Sequence, residues 1–337
     1  MQRIKYFDLL NVISCISVVA LHCNGYVHSY TMDAEWYSAL LFEVIFYFAV
    51  PVFVMLSGAT LFDYRERYST RTFFIKRIQR TVFPWFVWSI FWGCIYLIIA
   101  PYLGKYINFS LSACITILLK GEIPLTTYWF FIPLFMLYLF LPYLSKIVTH
   151  SSCKQILSLC GIIIFFQSVV FPIFNLLNID YQFTLPIGGN FALYAIIGYC
   201  ISQHSLEENK RFFYVIIFLA IFSLIARYIG ICYVGERNSL LFTYSGLFAI
   251  LPAISVFMIC KKIDKYISNQ IYNIIRELSK LSLGVYLIHA AIIHAFSIPF
   301  GYSSAIVRYA GIPIVYIASI TIVYLLRKIP LVKTIVP

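Results

Sequence analysis

Long apolar stretches recur along almost the whole chain, and short polar intervals separate them. A run of about 18 or more mainly apolar residues can cross a bilayer as a helix, in which the backbone groups are paired within the segment. The pattern predicts an all-α, polytopic integral membrane protein with about ten transmembrane helices. One membrane-embedded domain is expected over residues 1–337, because no polar interval is long enough for a soluble domain. The predicted spans are 7–27, 39–62, 81–103, 128–148, 154–176, 185–202, 212–232, 240–260, 281–300 and 305–326.

Composition indicates the same class of protein. Of the 337 residues, 62% are hydrophobic and only 11% are charged, whereas a soluble domain has about 45–50% apolar and about 25% charged residues. A water-soluble core cannot hide this much apolar surface, so the lipid bilayer is the first expected partner.

Lysine and arginine are distributed unequally between the two sets of loops. When the loops are assigned to alternate sides from the N-terminus, 20 of the 25 basic residues fall on one side and five on the other. Cytoplasmic loops carry the excess of basic residues in membrane proteins, so both termini are predicted to be cytoplasmic. The net charge of +12 follows from this distribution, and no nucleic-acid partner is expected.

A histidine and a glutamate are predicted at the same depth in the outer half of the membrane. His22 follows Tyr6 by 16 residues, which is about 24 Å of helix. Glu43 lies about one turn inside the outer end of the next, antiparallel span. A carboxylate beside an imidazole fixes its tautomer and stabilises its cation, so both are candidate catalytic residues. The alternative is a structural histidine that is hydrogen-bonded to a serine, to Asn24 or to a backbone carbonyl.

Two arginines are predicted at the cytoplasmic mouth of the third span. Arg77 and Arg80 are three residues apart, a spacing that places them on one face of an α-helix. Arginine suits phosphate through paired hydrogen bonds, so the two side chains form a candidate phosphate clamp. The alternative is that they are ordinary basic residues flanking a span on its inner side.

Cysteines and histidines do not indicate a metal site. The nine cysteines and six histidines have no spacing typical of metal ligands. Most of the cysteines fall inside apolar segments, where they are expected to pack as small apolar residues. No metal is therefore expected.

Five motifs occur in order along the chain. They are FDLL at 7–10 followed by Leu21-His22, VPVFVMLSG at 50–58, FIKRIQR at 74–80 followed by Pro84, YWF at 128–130 and LSLGVYLIH at 281–289. With this order and spacing, the chain resembles the acyltransferase 3 family, which are integral-membrane acyltransferases of bacteria. The resemblance covers essentially the whole chain and implies ten core helices.

The resemblance implies transfer of an acyl group, most often acetyl, from cytoplasmic acetyl-CoA or another acyl-CoA to a hydroxyl. The acceptor is expected to be an extracytoplasmic or lipid-linked glycan, and the location is expected to be the bacterial inner membrane. His22 matches the essential histidine of the family, and Arg77 and Arg80 match its R-x-x-R motif. Asn11, a candidate substrate contact, stands where the family usually has arginine. Either the chain represents a different branch, or another cation supplies the missing contact.

These matches suggest a path for the donor. Arg77 and Arg80 would hold the phosphates of acyl-CoA, and the pantetheine arm would reach upward to present its thioester near His22. His22 would then remove the proton of the acceptor hydroxyl or accept the acyl group itself, and the sequence leaves both routes open. His289 is expected in the inner half of the ninth span, where it lines the donor channel or is a buried structural histidine.

Several residues predicted near the outer side are candidates for acceptor binding. They are Tyr128, Trp129, Arg227 and Arg308, with Trp36 at similar depth. Aromatic side chains at this depth either stack on a sugar or belong to the interfacial belt that membrane proteins usually have.

A transporter or flippase for a lipid-linked sugar or polysaccharide precursor is the alternative class of protein. Transporters usually contain internal repeats and paired helices broken by glycine or proline, and the two halves of this chain show no matching interrupted segments. The sequence leaves open which glycan and hydroxyl react, whether the acyl group is acetyl or succinyl, and whether the protein forms a homo-oligomer.

The distribution of basic residues predicts opposite locations for the C-terminus and for the loop at 181–186. A reporter fused to the C-terminus should be cytoplasmic, and one inserted at 181–186 should be extracytoplasmic, because 20 of the 25 basic residues share the side of the termini. Paired fusions to alkaline phosphatase and to a fluorescent protein measure this in cells. The same location for both reporters would show that the predicted number of spans is wrong.

Overall fold

The structure is a computed structural model that describes residues 3–99, 110, 126–177, 190–235, 241–330 and 332–336. Every regular element in these residues is helical, as the hydropathy pattern predicts. The α-helices are α1 (Lys5–Cys23), α2 (Ala34–Phe46), α3 (Ala49–Leu61), α4 (Thr70–Arg77), α5 (Phe83–Ile99), α6 (Phe131–His150), α7 (Cys153–Phe165), α8 (Phe171–Leu176), α9 (Asn190–Gln203), α10 (Lys210–Val234), α11 (Leu247–Ile263), α12 (Asn269–Phe300) and α13 (Gly311–Leu326). The loop at 181–186 lies outside the described residues.

Seven helical stretches of the described chain are long and apolar enough to cross a membrane, so the protein is a multi-pass membrane protein. They are Lys5–Cys23, Ala34–Glu66, Thr127–His150, Cys153–Phe174, Lys210–Val234, Asn269–Phe300 and Ile306–Leu326. The third, sixth and eighth predicted spans coincide with α5, α9 and α11, which have 17, 14 and 17 residues. Helices of this length do not by themselves establish spans, and the count of ten stays a prediction.

Three π-helical turns interrupt the regular helices. They are Ile78–Val82 between α4 and α5, Phe166–Val170 between α7 and α8, and Ile306–Ala310 before α13. A π turn rotates the side chains that follow it relative to a regular α-helix, and such turns often occur at functional sites. The first of them contains Arg80, and the third contains Arg308.

The second predicted span is broken into two helices. α2 ends at Phe46 and α3 begins at Ala49. Pro51 has no backbone N–H to donate to Tyr47, so a regular helix through this point would lose a hydrogen bond. The break separates the part of the segment that carries Glu43 from the part that packs against α9.

α3 and α9 approach each other closely enough for their backbones to touch. A Cβ atom on Gly58 would overlap the carbonyl oxygen of Ala195, and one on Gly198 would overlap that of Met55. Small residues permit this kind of contact between membrane helices. The two glycines therefore fix α3 against α9.

α1 and α12 run parallel to each other. Lys5 at the start of α1 donates to the carbonyl oxygen of Ile267 at 2.9 Å, and Asn11 donates to that of Ser279 at 3.1 Å. Near the other end of α1, the ring of His22 lies against the ring of His289. The first and ninth predicted spans thus have the same direction, which is the relation that alternate crossing of the membrane requires.

The contact between α3 and α9 predicts that Gly58→Ala destabilises the protein. The new methyl group would meet the backbone of Ala195, and overpacking of this kind costs about 1–3 kcal/mol. Gly161→Ala is the matched control, because a Cβ atom there meets nothing within 4 Å and alanine in a helix is favoured by about 0.5–1 kcal/mol. Thermal unfolding in detergent should show a lower Tm only for Gly58→Ala. Equal Tm values would contradict the close approach of the two helices.

Candidate functional site

Three adjoining cavities lie along α1 and α12, and we name them by the predicted orientation of the chain. The inner cavity, with Arg3 and Arg77, has a volume of about 410 Å³, the middle cavity about 210 Å³, and the outer cavity, with His22, about 580 Å³. Tyr286 lines both the middle and the outer cavity. The residues shared by the inner and the middle cavity are Asn11, Phe53, Ser57, Tyr138 and Ser279. Because of these shared walls, the cavities follow one another from the arginines to the histidine.

His22 occupies the last turn of α1 and lines the outer cavity. Glu43, which α2 supplies, lines the same cavity, so the structure brings the two candidate catalytic residues together. Tyr302 donates its hydroxyl to the backbone oxygen of His22 at 2.7 Å and ties the end of α1 to the loop after α12. Asn24 donates its amide to the carbonyl oxygen of Arg308 at 3.1 Å rather than to the imidazole. The ring of His22 is therefore not held by Asn24.

The charged partner of Glu43 is Arg227. The Glu43 Oε1 and Arg227 Nη2 atoms are 4.0 Å apart, and the arginine is fully buried. Its Nε atom donates to the carbonyl oxygen of Leu241 at 2.8 Å, and its guanidinium lies 3.7 Å from the ring centre of Tyr47. Arg227 does not line any of the three cavities. Arg227 lies behind the wall of the outer cavity. Its charge faces the carboxylate of Glu43 and the ring of Tyr47, and both of these residues line the cavity.

Aromatic side chains form one wall of the outer cavity. Tyr47 and Tyr244 are stacked with ring centres 4.3 Å apart, and Trp129 stacks on the same Tyr244 at 5.7 Å. All three line the outer cavity, and Trp129 is the most exposed of them at 37%. Sequence reasoning selected Trp129 but missed Tyr47 and Tyr244, because a tyrosine in an apolar segment gives no signal of which face it occupies.

Three other residues predicted near the outer side have structural partners instead. Tyr128 is buried and donates its hydroxyl to the carbonyl oxygen of Leu287 at 2.6 Å, and Trp36 is buried and donates to a backbone oxygen as well. Arg308 is also buried, and its guanidinium donates to the carbonyl oxygen of Glu35 at 2.8 Å. None of the three lines the outer cavity. Arg308 thus ties the start of α2 to the π turn before α13.

Polar residues of α1 and α12 meet at the inner cavity. Asp8 pairs with Arg3 at 2.6 Å and accepts a hydrogen bond from the hydroxyl of Ser279 at 2.7 Å. Asn11 donates to the same hydroxyl at 2.9 Å and lines both the inner and the middle cavity. The amide at position 11 is therefore bound to α12, and the basic residues of the inner cavity are Arg3 and Arg77.

The structure brings only one of the two predicted clamp arginines into the path. Arg77 lines the inner cavity beside Tyr138, and its buried Nε atom has no hydrogen-bond partner among the described residues. Arg80 is exposed and lines none of the three cavities. It lies in the π turn Ile78–Val82, so the α-helical spacing that predicted a common face does not apply.

His289 lies at the level of His22, and its predicted position in the inner half of the ninth span is wrong. The two ring centres are 5.2 Å apart, and His289 is fully buried. The prediction started the helix at 281, whereas α12 begins at Asn269 after the capping residue Ser268. His289 is consequently about 30 Å from the start of its helix. The first turns of α12 are polar, so the hydropathy pattern did not show that the helix begins at Asn269.

The described residues contain no group of three His, Cys, Asp or Glu side chains placed to hold a metal ion. What the site offers is an imidazole beside an aromatic cavity, joined by a path to a cavity that carries arginines. An imidazole in such a place can accept a proton or an acyl group.

The helical fold and the line of three cavities define a multi-pass membrane protein with a candidate site between its helices. The family model described as an acyltransferase domain matches residues 4–328, which is nearly the whole chain. The chain therefore belongs to this family of acyltransferases, and the resemblance based on the motifs is confirmed. Comparisons with curated proteins and with solved structures find no match.

Proposed function

We propose that the protein transfers an acyl group, in the first instance acetyl, from cytoplasmic acyl-CoA to a hydroxyl of an extracytoplasmic or lipid-linked glycan. The observation that carries the proposal is the line of three cavities, with arginines at one end and His22 at the other. Acyl-CoA has the same order of groups, since its phosphates and its thioester lie at opposite ends of an extended arm. Both termini would lie in the cytoplasm and the chain in the bacterial inner membrane.

Donor binding would begin at the inner cavity. Arg77 lines the inner cavity, and a guanidinium there can offer paired N–H groups to phosphate oxygens. Arg3 lines the same cavity and adds positive charge, although Asp8 neutralises part of it. Phosphates are therefore favoured at this end of the path.

The arm of the donor would occupy the middle cavity. Its wall includes Phe53, Phe130, Phe131 and Leu134, with Ser57 and Ser282 as hydroxyl groups among them. Asn11, Thr81 and Lys280 line it as well. A channel with both apolar and polar walls suits an arm of methylene and amide units. Tyr286 lies where this channel meets the outer cavity, so the thioester would pass its ring to reach His22.

Two routes of acyl transfer are compatible with His22. In the first, His22 takes the proton of the acceptor hydroxyl while the oxygen attacks the thioester carbon. The carbon–sulfur bond breaks, and the proton passes from the imidazole to the CoA sulfur. In the second, a His22 nitrogen attacks the thioester carbon, the carbon–sulfur bond breaks, and CoA leaves with the proton of the other ring nitrogen, which gives a neutral acyl-imidazole. The acceptor hydroxyl then attacks the acyl carbon, the bond to the imidazole breaks, and the hydroxyl proton returns to the ring.

The acceptor would bind in the outer cavity. Trp129 is the most exposed ring of the aromatic wall and offers a face against which the apolar face of a sugar ring can pack. Glu43 offers a carboxylate to the sugar hydroxyls in the same cavity. The combination of stacked rings and a carboxylate supports a saccharide as the acceptor.

Purified protein in sealed proteoliposomes tests the proposal directly. Radiolabelled acetyl-CoA is added with a bacterial glycolipid fraction, and label in the glycan is measured by chromatography after mild alkaline treatment to release esters. Base-labile label in the glycan is expected. Movement of the glycolipid across the bilayer without any acyl transfer would instead favour the transporter alternative and overturn the proposal.

Arg77→Ala should weaken the binding of acyl-CoA more than Arg80→Ala does. Loss of a charged hydrogen bond costs about 1.5–3 kcal/mol, and of these two arginines Arg77 lines the inner cavity whereas Arg80 does not. Arg77→Lys should restore part of the affinity, because lysine keeps the charge and lacks the planar fork. Calorimetric titration of the detergent-solubilised variants with CoA measures the Kd. The same Kd for wild type and Arg77→Ala would remove this arginine from donor binding.

His22→Ala should abolish turnover while CoA still binds. Proton transfer by a positioned base contributes roughly 10²–10⁴-fold to a rate, so the loss should reach at least this range. His150→Ala is the control, because His150 is exposed at the end of α6. Initial rates of label transfer and the Kd for CoA are measured on the same preparations. A folded His22→Ala protein with a near wild-type rate would refute both routes.

A further inference from the structure

The tautomer of His289 follows from its hydrogen bonds. Its Nδ1 atom lies 2.8 Å from the carbonyl oxygen of Tyr286 and 3.1 Å from that of Val285. Carbonyl oxygens only accept hydrogen bonds, so Nδ1 must carry a proton. In the neutral ring, Nε2 therefore carries a lone pair and can only accept.

The Nε2 atom of His289 is a buried acceptor without a partner among the described residues. A buried polar group that stays unpaired costs free energy, so such an atom in a native structure calls for an explanation. The ring of His22 is the imidazole beside it, with 5.2 Å between the two ring centres. His22 is also the one of the two rings that reaches the outer cavity.

We infer that His289 is a positioning residue for His22. The two rings lie side by side without a hydrogen bond as they stand, and a small rotation of the His22 ring would bring one of its N–H groups to Nε2 of His289. The inference rests on the proposed function, in which His22 reacts. With the proton held on the nitrogen that faces His289, the other nitrogen of His22 presents its lone pair to the outer cavity. A base or nucleophile needs this lone pair. In catalytic triads, a third group usually holds the histidine in the orientation that presents the lone pair to the reacting atom.

The proton balance agrees with this role. When His22 takes the proton of the acceptor hydroxyl, it becomes an imidazolium with two N–H groups. One still donates to His289, and the other gives its proton to the departing CoA sulfur. His289 keeps its Nδ1 proton throughout, because Tyr286 and Val285 continue to accept it.

Glu43 was expected to orient His22, and the structure offers it a different partner. Its carboxylate lies 4.0 Å from the buried guanidinium of Arg227 and lines the outer cavity. The role of orienting the imidazole is thereby open to His289, which is locked by the backbone of α12. In this arrangement, the carboxylate of Glu43 contacts the acceptor in the outer cavity.

A matched pair of amide variants separates positioning from a structural role. In His289→Gln the side-chain carbonyl reaches the place of Nε2, whereas in His289→Asn the amide reaches only the place of Nδ1. If His289 positions His22, the glutamine variant should keep kcat within about tenfold of wild type. The asparagine variant should lose on the order of 10²-fold or more in kcat, with KM for acyl-CoA unchanged. A structural role at Nδ1 would reverse the order of the two variants.

A second measurement does not depend on activity. Imidazole ¹⁵N spectra of histidine-labelled protein report which ring nitrogen carries the proton, and the His22→Ala and His289→Asn variants assign the signals. In wild type, His289 should be protonated at Nδ1 and His22 should show one tautomer, which becomes a mixture in His289→Asn. A proton on Nε2 of neutral wild-type His289, or an unchanged His22 tautomer in the asparagine variant, would overturn the inference. Correct spectra without acyl transfer in any variant would refute the proposed function and leave the positioning contact standing.

Discussion

The pairing of polar groups between α1 and α12 is the constraint on which the rest of the structure depends. A bilayer offers no water to satisfy polar side chains, so those inside a membrane protein must find protein partners or line a cavity. Here the polar positions of α1 meet α12 at successive levels, which fixes the register of two parallel helices. The contacts are Lys5 with Ile267, Asp8 and Asn11 with Ser279, Cys15 with Ser282, and His22 with His289.

Irregular helix segments shape the cavities that lie along the contact between α1 and α12. The break between α2 and α3 separates Glu43 from Ser57, so one predicted span contributes to the outer, the middle and the inner cavity. The π turn after α4 leaves Arg77 in the path and Arg80 outside it. The close contact at Gly58 holds α3 against α9, so that the space opens on the side that faces α1 and α12.

Hydropathy located the helices well because burial in lipid demands long apolar runs. Each predicted span overlaps a helix in the described residues. The common predicted depth of His22 and Glu43 agrees with their place in one cavity. The failures have a physical cause in each case. α12 begins with polar turns that a hydropathy window ignores, so His289 was assigned the wrong depth. The spacing of two arginines assumed an α-helix where the backbone forms a π turn. Tyr128 and Trp129 are adjacent in sequence and lie in different surroundings. Tyr128 is buried in the core, whereas Trp129 lines the outer cavity.

The length of α1 sets a limit on the reaction that we propose. Asp8 at the inner cavity and His22 at the outer cavity are 14 residues apart on one helix, which is about 21 Å. A rigid helix makes this distance constant, so only a donor with an extended arm can contact both ends at once. The acyl group that arrives at His22 must then share the outer cavity with the acceptor, in a volume of about 580 Å³. Ligand pockets of about 300–1,000 Å³ hold one small molecule. In the proposed reaction, a short acyl group such as acetyl would leave most of this volume to the acceptor.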